Sequence, residues 1–306
     1  MKTEILHILR NTDQVVSGET LSARLGTSRV SVWKHIRKLQ SLDYEIASTP
    51  KGYRLLSSPE VPFPWEFPAR ASQIHYFPEV TSTMDAAMAL AREGCADFTV
   101  VVAGRQTKGR GRLQRIWQSF EGGLFFTIVL RPDIPPAWGS RINLAAAVDC
   151  AETLREMFAI DVKVKWPNDI LFRERKLAGI LLQMEAEVDK ITFMNIGIGL
   201  NVNNAPETEV PTAVSLKDIL GQTVSRKDIL SKFLDRFETR MKLKDLQGVI
   251  GQWKSLNVTL HRRVTIVTIR EQIKGMAVDI DDNGGLVVRL DNGETRTVIF
   301  GDCFHR

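Results

Sequence analysis

The sequence predicts an α+β chain in three parts: a small helical head ending in a hairpin, a central mixed or antiparallel sheet with helices, and a short all-β tail. Three observations predict it. The first stretch carries apolar residues at helical spacing. Between residues 99 and 253, strand-length apolar runs alternate with helical patterns on short connections, which suits an α+β sheet better than a doubly wound one. After Asn257 the pattern changes to short strands broken by Asp282-Asn283-Gly284-Gly285 and Asp291-Asn292-Gly293, turn sequences of hairpins.

Residues 4–10 read as a first helix, with Ile5, Leu6, Ile8 and Leu9 as its apolar positions. Ser17-Gly18-Glu19-Thr20 offers capping chemistry for a short helix through Leu21 and Leu25. Gly26 breaks that helix, and Thr27 or Ser28 caps a longer one. Val32, Ile36 and Leu39 form its buried stripe, with Ser28, Arg29, Ser31, Lys34, His35 and Lys38 largely off it. Two helices joined by a Gly-containing turn, the second basic on its free face, make a helix-turn-helix pattern. Ile46 to Leu56, centred on Lys51-Gly52-Tyr53-Arg54, reads as a hairpin and hence a wing. The candidate DNA contacts are Ser28, Arg29, Ser31, Lys34, His35 and Lys51. A three-helix protein-interaction module is the competing reading.

Pro59, Pro62, Pro64 and Pro68 then predict an extended linker. Thr99–Ala103, Leu124–Leu130, Val162–Trp166, Ile180–Met184 and Thr192–Ile198 read as strands. Met84–Arg92, Ile142–Phe158, Lys227–Arg240 and the region Leu246–Trp253 read as helices. The expected domains are a winged helix-turn-helix at 1–58, a linker at 59–72, a central domain at 73–256 and a barrel at 257–306.

Composition narrows the function classes. The 306 residues are 43% hydrophobic and 25% charged, ordinary for a soluble protein. No apolar run approaches membrane-spanning length, so no membrane partner is expected. Cys95, Cys150 and Cys303 are few, distant and odd in number, which argues for reduced thiols in a cytoplasm. The five histidines show no metal-ligand spacing. Of the net charge of +5, residues 1–58 carry +4, from nine Lys/Arg against five Asp/Glu. That location suggests an appended nucleic-acid module.

Four stretches carry the chemistry. In Gly109-Arg110-Gly111-Arg112, closed by Arg115 and Trp117, glycines permit close backbone approach and arginines offer forked donors for carboxylate or phosphate. Gly104 to Gly109 has Walker A spacing, but Arg110-Gly111 stands where Lys-Ser/Thr is required, so a P-loop is rejected. In Lys165-Trp166-Pro167-Asn168-Asp169, proline restrains the backbone and a strand-end turn presents two polar side chains together. In Lys176-Leu177-Ala178-Gly179-Ile180-Leu181, a lysine stands at the mouth of an apolar strand, where its Coulomb effect on an anion is larger. In Gly197-Ile198-Gly199-Leu200-Asn201, glycines within a strand mark close approach.

These stretches, in this order, resemble the biotin–protein ligase family. With the N-terminal helix-turn-helix the chain resembles its bifunctional bacterial members, and the resemblance spans nearly the whole chain. It implies a class II synthetase-like ligase domain and an SH3-like barrel. Ser82 and Thr83 match the pair that hydrogen-bonds the biotin ureido ring, and Gln106 matches a glutamine at the same ring. Arg110, Gly111 and Arg112 match the loop that folds over biotin and the adenylate phosphate. Trp117 matches the tryptophan packed over the nucleotide. Asn168 matches a residue facing the nucleotide, and Asp169 one that orients or deprotonates the acceptor lysine. Lys176 matches the lysine on biotin's carboxylate and the phosphate. Asn201 matches an asparagine near the adenine and metal-phosphate region.

Two positions depart from the family pattern. Met84 stands where many members have Asn, removing one polar partner near the biotin pocket. Gln114 stands where the loop usually repeats Gly, and a residue with a Cβ tolerates positive φ poorly. The loop is therefore expected to close differently and retain adenylate less well.

The resemblance implies ATP and biotin as substrates with Mg²⁺, biotinyl-5′-AMP as intermediate and corepressor, a biotin carboxyl carrier protein as acceptor, operator DNA, and a ligand-promoted homodimer. Catalysis then falls to Arg110, Arg112, Lys176 and Asp169, with no enzyme nucleophile. Three alternatives stay open: a DNA-binding biotin sensor without ligase turnover, a ligase for another carboxylic acid such as lipoate, and a ligase whose head no longer regulates transcription.

Overall fold

The structure is a computed structural model and describes residues 1–188, 190–208 and 210–305, with the side chains of Gln114 and Glu207 outside that description. It divides into two compact units, residues 1–72 and residue 73 onward.

In the first unit, α1 (Lys2–Arg10), α2 (Gly18–Leu25) and α3 (Arg29–Gln40) precede a hairpin of β1 (Glu45–Thr49) and β2 (Gly52–Ser57). Apolar periodicity buries one stripe of each helix. Ile5, Leu6, Leu21, Val32, Ile36 and Leu39 are fully buried. Ser17 Oγ accepts from the Thr20 amide, and Ser28 Oγ accepts from the Ser31 amide, so each helix is capped by the residue before it. Gly26 ends α2 at φ 60°, a left-handed position that costs glycine little. Gly52 lets the hairpin meet Val16, where a Cβ would stand 2.2 Å from the Val16 carbonyl oxygen.

The proline-rich stretch is not an extended linker. Pro64 and Pro68 each open a 3-10 turn, where a missing N–H costs nothing. Phe63 and Phe67 are buried, and Phe63 stacks on Trp65 at 4.7 Å. Arg10 donates to both Glu66 carboxylate oxygens at 2.9 Å, and the Tyr44 hydroxyl also donates to Glu66. Proline limits the backbone but does not keep aromatic neighbours in water. Their burial folds residues 59–72 onto the helices.

The second unit is built on a seven-stranded sheet in the order β3-β4-β5-β9-β8-β7-β6. Its strands are β3 (Ile74–Val80), β4 (Thr99–Gln106), β5 (Leu124–Leu130), β6 (Lys163–Lys165), β7 (Asp169–Phe172), β8 (Arg175–Ala186) and β9 (Ile191–Leu200). Only β3–β4 is parallel. The mixed sheet is the one expected. β5 is buried along its whole length, because both faces are covered.

Helices α4 (Thr83–Arg92) and α5 (Gly139–Phe158) pack on the sheet. After α6 (Leu216–Leu220), α7 (Arg226–Lys242) and α8 (Val249–Leu256) pack on α5. The last five strands are β10 (Arg263–Val267), β11 (Gln272–Ile280), β12 (Leu286–Leu290), β13 (Thr295–Val298) and β14 (Asp302–His305). They form an all-antiparallel sheet in the order β13-β12-β11-β10-β14.

β3, β7 and α6 have no counterpart in the sequence reading. β7 is four residues long, and the β7–β8 turn is made by Arg173 and Glu174 at positive φ rather than by Asn-Gly. Asp169 therefore begins a strand instead of sitting in the turn. Among the described residues, no helix is long and apolar enough to cross a membrane.

Candidate active site

A cavity of about 170 Å³ opens where the ends of β4, β8 and β9, the start of α4 and the loop 107–123 converge. At one wall, Ser82 caps α4 through its Oγ and is fully buried, so the capping places Thr83 and not Ser82 on the cavity. Gln106 Oε1 accepts from the Thr83 amide at 2.8 Å and from its hydroxyl at 3.1 Å. Thr127 Oγ1 donates to Thr83 Oγ1 at 2.9 Å, and Gln106 Nε2 donates to Ser119 Oγ at 2.9 Å. This chain fixes the Gln106 amide with its oxygen toward α4.

The Gly/Arg loop is folded back on itself. The Trp117 amide donates to the Gly109 carbonyl at 2.9 Å, and the Gly111 amide to the Arg115 carbonyl at 2.8 Å. Any Cβ at Gly109 would stand 2.4 Å from the Trp117 carbonyl oxygen, so glycine is required for close approach. The left-handed residue described within the loop is Leu113, at φ 51°. The expectation placed on the Gln114 side chain lies outside the described residues.

Each cation here has a protein acceptor. Arg110 donates to Asp85 at 2.6 Å, with both side chains about half exposed. Arg112 reaches deeper: Nη1 donates to Asn168 Oδ1 at 3.1 Å and Nη2 to the Gly301 carbonyl at 2.8 Å. Burial lowers the Arg112 pKa, while Asp302 and Asp169 act in the opposite sense. A guanidinium nevertheless stays protonated. Arg115 is ion-paired with Asp302. Lys176 Nζ lies 2.7 Å from Asp169 Oδ1 and 5.2 Å from the Trp117 ring.

The strand glycines make room for side chains. A Cβ at Gly199 would fall 2.5 Å from Trp117 Cε2, one at Gly179 2.8 Å from Trp117 Cζ3, and one at Gly197 2.5 Å from the Met84 sulfur. Trp117 thus lies flat against a glycine-lined floor, and Met84 fills the space over Gly197. Asn168 Nδ2 donates to the Ile180 carbonyl at 2.6 Å, which turns its Oδ1 toward Arg112. Trp166 precedes a cis Pro167 and is buried, its indole N–H donating to the Gly284 carbonyl at 3.0 Å.

The structure therefore gathers Thr83, Gln106, Arg110, Gly111, Arg112, Trp117, Asn168, Asp169 and Lys176 on one cavity. Asn201 is not on it. That side chain is buried, accepts from Asn204 Nδ2 at 2.9 Å and donates to the Lys176 carbonyl at 3.5 Å. Asp85, Ser119, Thr127 and Asp302 join the arrangement without having been anticipated. Thr127 alone carries a signal, a polar residue inside the otherwise apolar run of β5.

In the other unit, Arg29, Lys34 and Lys51 are exposed, whereas Ser31 and His35 are only partly so. The Ser28 hydroxyl accepts the capping bond. Val30 and Trp33, which the sequence reading passed over, face outward.

Comparison with known proteins identifies the family. Residues 76–203 match the biotin/lipoate A/B protein ligase family, residues 2–54 an HTH domain, and residues 259–306 the biotin protein ligase C-terminal domain. The bifunctional ligase/repressor BirA of Bacillus subtilis is 35% identical over 92% of this chain and 91% of its own length. Its Escherichia coli namesake is 27% identical over 90% and 88%. The solved structure of biotin protein ligase from Aquifex aeolicus, in complex with biotin and ATP, superposes with a TM-score of 0.65. It is 31% identical and covers 76% of this chain and 98% of its own. With an HTH head ahead of the cavity and a C-terminal domain after it, the chain belongs to the biotin–protein ligase family, in its bifunctional ligase/repressor branch.

Proposed function

We propose that this protein activates biotin with ATP and transfers it to a lysine of a biotin carboxyl carrier protein, and that it represses transcription in response to the adenylate. The observation that carries the reading is the convergence of Arg112, Lys176, Asn168 and Asp169 on one cavity beside the Thr83–Gln106 amide network.

Biotin's carboxylate attacks the α-phosphorus of ATP, giving biotinyl-5′-AMP and pyrophosphate. The attacking carboxylate needs orientation and cationic stabilisation of the crowded phosphate, not an enzyme nucleophile. Lys176 meets the biotin carboxylate and the phosphate, releasing Asp169 as it does so. Arg112 is held on the phosphate side by Asn168 and the Gly301 carbonyl. Arg110 exchanges Asp85 for the ligand as the loop closes. Thr83 and Gln106 supply the polar contacts of the ureido ring, and Ser82 acts through the helix cap that sets Thr83.

Trp117 covers the nucleotide from the loop side. Asp169, once free of Lys176, orients or deprotonates the acceptor lysine. That amine attacks the mixed anhydride and releases AMP. A closed loop excludes water that would hydrolyse the intermediate. Asn201 supports the carbonyl of Lys176 from behind, one shell away from the adenine.

Magnesium enters with ATP as part of the substrate. Magnesium dehydrates reluctantly and is held chiefly by phosphate and water. The head runs 1–72, with residues 59–72 folded onto it, followed by a central domain at 73–256 and a C-terminal domain at 257–306. The protein works in the cytoplasm, where bound adenylate favours a homodimer that presents two heads to a palindromic operator. Such a shift requires the adenylate to bind the dimerising state more tightly.

The deciding experiment is the intact mass of a biotin carboxyl carrier domain after incubation with the protein, biotin, ATP and Mg²⁺. One added biotinyl group, absent without ATP and lost with Lys176→Ala, is the expected result. An unmodified carrier that a second ligase can modify refutes the enzyme.

A further inference from the structure

Helix α3 buries Val32, Ile36 and Leu39, and turns Val30, Trp33, Lys34 and Arg37 to the opposite side. Val30 is 62% exposed and Trp33 52% exposed. They stand three residues apart and so share one face. Folding of the head does not require them there, because its core is already filled. With Arg29, Lys51 and Tyr53 they line a groove of about 500 Å³, which Glu19 also borders, between α3, the start of α2 and the wing turn. Exposed cations thus flank an exposed apolar pair on the part of a helix-turn-helix that enters the major groove.

We propose that Val30 and Trp33 read thymine methyl groups, biasing the head toward A·T pairs at these positions. The inference rests on the DNA-binding reading above and names the residues that give it sequence preference. Valine has no hydrogen-bonding side-chain group. In the major groove, the apolar feature that a base edge offers is the thymine C5-methyl. The other candidates on α3 are less available. The Ser28 oxygen accepts the capping bond, which fixes its rotamer toward the helix, and Ser31 and His35 are partly covered. Arg29, Lys34, Arg37 and Lys51 suit phosphates or guanine edges, and neither contact reports a thymine methyl. The charge around the pair favours a polyanion over an apolar protein surface as its occupant.

The test uses the full chain with biotin, ATP and Mg²⁺. Preferred duplexes are selected from random DNA, and each thymine of the recovered site is replaced in turn by deoxyuridine, which deletes only the methyl. Binding is read by fluorescence anisotropy for the wild type, Val30→Ala and Trp33→Ala. The wild type should bind about fourfold more weakly at each contacted position. That penalty should shrink to near unity at one position for each variant, while carrier biotinylation and thermal midpoint stay as in the wild type.

Deoxyuridine without effect at every thymine, or penalties unchanged in both variants, overturns the proposal. So does a variant that alters oligomeric state while leaving DNA affinity intact, since the pair then serves a protein contact. Duplex binding with no enriched sequence overturns sequence reading but leaves DNA contact standing. Failure to bind any duplex removes the DNA-binding reading itself.

Discussion

On α3, Arg29, Lys34 and Arg37 stand exposed, whereas in the cavity Arg110, Arg112, Arg115 and Lys176 each face a protein acceptor. The first set belongs to one helix beside one hairpin. The second is assembled from a loop and a distant strand, with partners on α4, β7 and β14. Exposed cations act through a field that salt screens over about 8–10 Å. In the cavity Arg112 and Lys176 are partly buried and act at short range, with their directions set in advance, while Arg110 and Arg115 stay exposed on the loop. The head is therefore suited to a long polyanion met over many weak contacts, and the cavity to one crowded phosphate met by a few strong ones.

The largest expected effect tests the short-range half of that contrast. Lys176→Ala should slow carrier biotinylation by about 10²–10³-fold, the usual cost of losing one preorganised charge partner. A loss of only a few fold at saturating ATP and biotin would mean that the cavity works more like the head, by summed weak attraction.

Next comes the floor of the cavity. Gly199→Ala places a methyl 2.5 Å from the Trp117 ring and should slow transfer roughly tenfold by displacing the loop. The same substitution in a Trp117→Leu background should cost much less, and a double-mutant cycle on the transfer rate reads the difference. Additive losses would show that the indole does not press on this glycine.

The third prediction concerns residues 59–72. Glu66→Gln removes a buried carboxylate that Arg10 and Tyr44 both address, and should destabilise the head by about 1–3 kcal/mol. Denaturant unfolding read by amide hydrogen exchange of the peptides covering residues 1–72 measures it. An unchanged midpoint would return this stretch to the status of a linker.

A smaller effect sharpens the long-range half. Lys51→Ala should weaken duplex binding uniformly across sequences and reduce the slope of log affinity against log salt by about one. A change confined to one sequence would make Lys51 a base-reading residue.

The smallest effect is a pH dependence in the last strand. Burial pushes His305 down to about 4, below its ordinary 6.5, and the nearby Lys165 and Arg262 act in the same direction. The unfolded chain therefore takes up a proton between those values while the folded one does not. Stability should be full above pH 6.5 and fall as the pH drops toward 4. His305→Gln should flatten that fall in urea midpoints measured between pH 7.5 and 5. Parallel curves for both proteins would contradict it.

The head is largely legible in the sequence, because its signals are local. Val32, Ile36 and Leu39 recur at helical spacing, Ser17 and Ser28 cap, and Gly26 turns. Each of these acts within a few residues of itself. The same local reading misjudged Pro59–Pro68, where the deciding interactions run back to Arg10 and Tyr44. It also passed over Val30 and Trp33, because periodicity reports what a helix buries and says little about apolar residues it leaves outside.

The cavity divides along the same line. Residue types at Gly109–Arg112, Trp166–Asp169, Lys176 and Gly197–Gly199 announced an anion site, since glycine, arginine and lysine in that pattern have few other uses together. Their pairings did not follow from the order of residues. Asp302 meets Arg115, Thr127 meets Thr83, and Gly301 meets Arg112 across separations of 187, 44 and 189 positions. Asn201 carried a matching motif, yet its side chain turned to Asn204. Chain-local chemistry thus determined which elements form and which residue types are on hand. Only the tertiary packing of the two sheets and the loops between them decided which acceptor each cation faces, because electrostatic and packing partners are chosen by distance in space.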